Sequence, residues 1–153
     1  YGGYVEGWAI YVENYAYNYA ASLMKNSDEP KLNELICTLY SHNRTLQLCI
    51  LSLLDLSIHY YGIDETKAAS ILAPLGVTKK EEVQSIYEYI VEEPGNYLKY
   101  YFGYLEILSL RDFAKNLWCN SYSNLRFHTF LLNYGPADFD SIRKSLTSTT
   151  SFV

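Results

Sequence analysis

The sequence predicts an all-α protein, an irregular bundle of about six to seven helices that forms one lobe of a larger helical protein. Three observations predict it. Apolar residues recur at three- and four-residue spacing along most of the 153 residues. No stretch alternates with the two-residue period of a half-buried strand. The chain has only 4 prolines, and each falls at a break between periodic segments.

The first helix is predicted from Tyr4 to Met24, on the recurrence of Val5, Ala9, Val12, Ala16, Tyr19 and Leu23. A turn over residues 25–30 follows, with Ser27 or Asp28 placed to cap and Pro30 to open the next helix. That second helix should run from Lys31 to about Tyr61, some 46 Å at about 1.5 Å per residue, with a break expected near Ser41, His42 and Asn43. Gly62 ends it. Asp64 is placed to cap a short helix from Glu65 to Leu72, and residues 73–76 read as a turn. Thr78 and Glu81 have the spacing of a capping box that opens a helix reaching Val91. Pro94 and Gly95 punctuate again before a helix from Asn96 to Trp118. Residues 121–123 form the turn and cap before a helix from Asn124 to Tyr134, which Gly135 and Pro136 stop. A last helix is predicted from Asp138 to Leu146, with a frayed tail over 147–153. Residues 4–146 thus read as one domain without repeat or linker.

Composition narrows the function. Apolar residues make up 49% of the chain, enough for a core. A net charge of −5 without clustered Lys and Arg excludes a nucleic-acid partner. No apolar run reaches the ~18 residues of a membrane span, because Asp55 interrupts the longest. Cys37, Cys49 and Cys119 lack the spacing of a zinc knuckle or redox pair; the first two, about 18 Å apart on one helix, cannot bridge and read as apolar fillers. Seventeen tyrosines are far above an ordinary share, and a large ring with a hydroxyl that seeks a partner suits a half-wet cleft.

Four stretches carry candidate chemistry. In the segment from Tyr4 to Glu13, Glu6 and Glu13 lie seven residues apart, within about 20° of one another around a helix axis. Gly7 costs its helix about 1 kcal/mol relative to alanine, which points to close approach against the backbone there, a cation-binding wall being one candidate. In the run from Leu53 to Gly62, Asp55 sits among apolar residues and needs a partner, which His59 supplies one turn on. From Glu93 to Tyr104, Tyr97, Tyr100, Tyr101 and Tyr104 fall at i, i+3, i+4 and i+7, lining one face with phenols beside Gly103. The fourth stretch, Leu125 to Leu132, places His128 between Phe127 and Phe130.

These four stretches, Glu6-Gly7-Trp8-Ala9-Ile10-Tyr11 and Glu13 first among them, resemble in order and spacing a bacterial family catalogued as domain of unknown function 885. Members of that family resemble gluzincin-type zinc metallopeptidases. The resemblance covers residues 4–142 and implies that Glu6 is the third zinc ligand, the first two being histidines of an upstream His-Glu-x-x-Gly-His segment that these residues do not contain. Glu13 then reads as a partner behind the ligand or as a structural residue. By looser similarity to angiotensin-converting-enzyme-like peptidases, Tyr100 is the oxyanion donor and Tyr97 a contact for the substrate terminus. Tyr101, Asp55 and His128 then join as substrate-binding residues, and His59 as a catalytic one. The family's arginines before the Asp are replaced here by Leu48 and Leu51.

The chain begins with Tyr1 rather than Met and is read as the C-terminal part of a longer protein. The expected function is the C-terminal lobe of a zinc-dependent peptidase acting on peptides, with zinc in the full-length parent. No zinc is expected to bind tightly to these residues alone, nor any hydrolysis. An N-terminal part of the same protein is the expected partner, and self-association through the surface it would cover is the corollary. The competing expectation is a non-catalytic helical module whose tyrosine-lined groove holds a peptide or sugar.

Overall fold

The computed structural model describes residues 1–26 and 28–149, the side chain of Thr149 excepted. Among these residues there are seven α-helices and no strand: α1 Gly2–Leu23, α2 Pro30–His59, α3 Glu65–Leu72, α4 Lys80–Glu92, α5 Asn96–Trp118, α6 Asn124–Tyr134 and α7 Phe139–Thr149. Short 3-10 turns close α1, α3 and α5. The all-α bundle expected from periodicity is what forms.

Helix ends follow local chemistry, with exceptions. The Asp64 carboxylate accepts from the Lys67 backbone N–H at 2.8 Å, Ser123 from Arg126 at 3.1 Å, and Asp138 from Ser141 at 2.8 Å, so each satisfies an orphan donor of a first turn. Pro30 opens α2 as expected, but the capping residue is Glu29 without a side-chain bond, so Asp28 does not cap; Ser27 lies outside the described residues. The capping box at Thr78 does not form either, because α4 begins one residue later with Lys79 at its cap. Helix α2 runs unbroken through Ser41, His42 and Asn43: Ser41 and Thr45 turn their hydroxyls to the buried Asn14 of α1, which ties the segment down where a break was expected. Helix α7 continues to Thr149, past the expected end at Leu146, and residues 150–153 lie outside the described residues.

Two cores hold the bundle. The larger joins α1, α5, α6 and α7 through Tyr4, Tyr11, Ile107, Leu110, Trp118, Phe127, Leu131, Ile142 and Leu146. The smaller joins α2, α3 and α4 through Leu54, Ile58, Ala68, Leu72, Val83 and Ile90, with Tyr97 at the start of α5 packed against it. Helix α5 therefore passes from one core to the other and fixes their relation. At α1 the apolar recurrence runs against the core: Val5, Ala9, Val12, Ala16, Tyr19 and Leu23 are all exposed, while Tyr4, Gly7, Ile10, Tyr11 and Asn14 face inward. Helix α1 thus carries two apolar faces, and the fold uses one of them.

Candidate functional site

The site is assembled by a crossing of two helices at glycine. A Cβ built on Gly7 would lie 2.2 Å from the backbone carbon of Gly103, and one built on Gly103 would lie 2.0 Å from the carbonyl oxygen of Gly3. Only hydrogen fits on either side, so α1 and α5 touch backbone to backbone. Close approach at Gly7 was expected; what approaches is α5, not a cation. The consequence is positional. Glu6 precedes one glycine and Tyr100 stands three residues before the other, so the crossing brings carboxylate and phenol face to face.

That pairing leaves an electrostatic mark. Burial first, then the negative charge of Glu6 and its acceptance of the phenolic proton, raise the Tyr100 pKa above 10.0. At neutral pH Tyr100 is consequently a neutral hydroxyl, a donor. Tyr89 of α4 and Arg44 of α2 act on the same phenol, and both also act on Tyr97, whose pKa burial raises. Arg44 in turn approaches Glu13, with Nε 3.5 Å from Oε2. Glu6, Arg44, Tyr89 and Tyr97, drawn from four helices, therefore lie within electrostatic reach of Tyr100, and Glu13 within that of Arg44.

The remaining candidates go elsewhere. Asp55 is 1% exposed. Its Oδ1 accepts the Gly95 backbone N–H at 3.0 Å, at the cap of α5, and lies 3.7 Å from His59 Nε2. A carboxylate so enclosed holds the start of the tyrosine helix, where the helix dipole favours a negative charge. His59 Nε2 donates to the Ile90 carbonyl at 2.8 Å and so staples α2 to the end of α4.

His128 Nε2 and the Tyr11 hydroxyl share a hydrogen bond of 2.9 Å, and the rings of Trp8, Tyr11 and Tyr15 stand edge-on around the imidazole. Burial, then Arg111, lower its pKa. Those three residues lie roughly 140–200° around α1 from Glu6 and Glu13, so His128 stands on the other side of α1 from the two carboxylates. The tyrosine stripe also divides. Tyr97 and Tyr100 share the site, but Tyr101, expected beside them as a substrate contact, faces the Cys49 thiol, and Tyr104 packs into the larger core toward Arg111.

The site is an open face. A cavity of about 530 Å³ is lined by Leu98, Lys99, Phe102 and Glu106 of α5 together with Tyr1, Phe139 and their neighbours, and not by Glu6 or Tyr100. Among the described residues no three His, Cys, Asp or Glu side chains gather to hold a metal ion. Glu6 has a phenol and Glu13 an arginine for company, and a zinc site needs three or four protein ligands.

Two members of the face escaped sequence reasoning. Arg44 stands four and seven residues before Leu48 and Leu51, on the side of α2 where arginines were sought, and reading one turn further back would have found it. Tyr89 carried no local signal, since its place depends on the turn between α4 and α5.

The chain belongs to the family described as "Bacterial protein of unknown function (DUF885)", whose profile matches residues 1–146. Searches of curated proteins and of solved structures return no match.

Proposed function

We propose that this domain is one wall of a peptidase active site. Glu6 supplies one zinc ligand, the other ligands come from residues outside this chain, and Tyr100 donates a hydrogen bond to the anionic oxygen that develops during peptide hydrolysis. The observation that carries the reading is the juxtaposition of Glu6 and Tyr100 at the Gly7–Gly103 crossing. A cation that takes the Glu6 carboxylate releases the Tyr100 hydroxyl from it, so ligand binding and donor availability are linked on this wall. Tyr97 lines the same face toward the substrate terminus, and Glu13 steadies Arg44 behind it. The outward stripe from Val5 to Leu23 flanks Glu6 and gives a helix bearing the missing groups an apolar seat.

The test uses the full-length gene product. Glu6→Gln should abolish both zinc retention and peptide hydrolysis; if both persist, the ligand assignment falls. Tyr100→Phe should lower kcat by about 100-fold or more with KM nearly unchanged, the usual loss on removing one oxyanion donor. A change confined to KM would instead favour the non-catalytic module with a peptide- or sugar-binding groove.

A further inference from the structure

We propose that the small cavity between α1 and α5 beside Arg111 is a binding site for a small inorganic oxyanion of the size of phosphate. The inference is independent of the peptidase reading, because neither Glu6 nor Tyr100 lines that cavity.

The space follows from the way the two helices cross. They touch at Gly7 and Gly103; beyond that contact bulky side chains replace glycine, and the helices enclose about 70 Å³. That exceeds the ~30 Å³ one water takes in the liquid, so a central atom with several oxygens has room. The wall is made by Tyr11, Asn14, Tyr15 and Asn18 of α1 with Tyr104 and Arg111 of α5, closed by Leu108. Apart from the leucine every one of these residues carries a polar group, and none is a carboxylate.

Donors are left over in this wall. The hydroxyls of Tyr15 and Tyr104 make no hydrogen bond among the described residues. Asn18 Nδ2 gives one proton to the Asn14 carbonyl at 3.2 Å and has a second to give. Asn14 itself is occupied, its Nδ2 by the Ile10 carbonyl at 3.0 Å and its Oδ1 by the hydroxyls of Ser41 and Thr45.

Arg111 supplies the charge. Its side chain is 28% exposed, and its Cζ stands 6.0 Å from the centroid of the Tyr11 ring. Its Nε and Nη2 lie 3.4 and 3.5 Å from Asp112 Oδ1, long for hydrogen bonds, while Lys115 Nζ meets the same oxygen at 3.1 Å. Two cations thus share one exposed carboxylate, and one positive charge is unmatched. A partly buried guanidinium in that position favours an anion over a neutral water. Burial raises the pKa of Tyr11 and Tyr104 and the Arg111 charge lowers both, so the guanidinium lies within electrostatic reach of the two hydroxyls. Both phenols stay protonated at neutral pH and add donors to the site.

The experiment is titration calorimetry of the full-length protein with sodium phosphate at pH 7 in 0.1 M sodium chloride, where long-range charge effects are already screened. The wild type should bind phosphate saturably. Arg111→Met should weaken binding about tenfold or more, the size expected of a hydrogen bond to a charged group. Tyr104→Phe, which removes one oxygen and keeps the ring in the wall, should weaken it about three- to tenfold. Arg126→Met, an arginine stacked on Trp118 outside this cavity, should leave it unchanged. A wild type that binds no phosphate, a Kd unaltered in Arg111→Met or in Tyr104→Phe, or an equal loss in Arg126→Met would each overturn the proposal. Circular dichroism checks that each variant folds, and should Arg111→Met fail to fold, Tyr104→Phe decides.

Discussion

Phenols enclosed among helices hold their protons, and that fixes how this protein meets alkaline pH. Burial is the first cause that raises the pKa of Tyr4, Tyr11, Tyr97 and Tyr104 above 10.0. A folded value above the unfolded one means that the native state binds more protons in that range, so stability is fully present below pH 10 and falls as pH rises through the folded values. Urea denaturation at pH 8 and above pH 10 should therefore show a falling midpoint, in step with the ultraviolet signal of tyrosine ionisation. His128 has the opposite sign. Its folded pKa is lowered from 6.5, so the native state binds fewer protons there and stability drops as pH falls below 6.5. His128→Gln should flatten that acid limb, and an unchanged limb would show that other groups set it. At this scale the sequence marks Glu6 by a motif, and the structure sets the Tyr100 hydroxyl within its reach. The sequence was not legible where a residue acquires its role only from neighbours on other helices, as Arg44 does from Glu13, Tyr97 and Tyr100.

Helix against helix, the decisive contact is the glycine crossing of α1 and α5. Gly7→Ala or Gly103→Ala drives a methyl into backbone that has no side chain to yield, so each should cost about 3 kcal/mol or more in chemical denaturation, toward the upper end for overpacking. Each should also separate Glu6 from Tyr100. Asp55→Ala strips the Gly95 N–H of its acceptor at the cap of α5 and should cost about 1–3 kcal/mol, read as a lowered Tm. Helix existence was legible throughout, because apolar periodicity persists over 8 to 30 residues in every segment. Caps were legible only where a short polar side chain sat at the true boundary, as at Asp64 and Ser123. Thr78 had the right chemistry one residue too early.

Across the whole molecule, apolar surface is left outside the two cores. The stripe on α1 is fully outward, and Leu32, Leu35, Leu39, Leu46 and Leu53 of α2 are exposed as well, Leu39 by 65%. So much uncovered surface on two adjoining helices seeks cover, and the 153-residue chain alone should self-associate in sedimentation equilibrium. Val12→Lys should shift it toward monomer with helicity unchanged. Equal masses for the two proteins would locate the association elsewhere. Periodicity reveals that a helix has an apolar face but not which of two such faces the fold will bury, and this is why the Val5–Leu23 stripe, the strongest on α1, turns out to be the exposed one. The central claim, that Glu6 and Tyr100 serve one bound ligand, is tested most directly by a double-mutant cycle on peptide hydrolysis by the full-length protein, using Glu6→Gln, Tyr100→Phe and both together. Losses far from additive, with the double variant little worse than Glu6→Gln, are the result expected of two groups acting as a unit; two independent losses that simply add, or no loss in either, would contradict it.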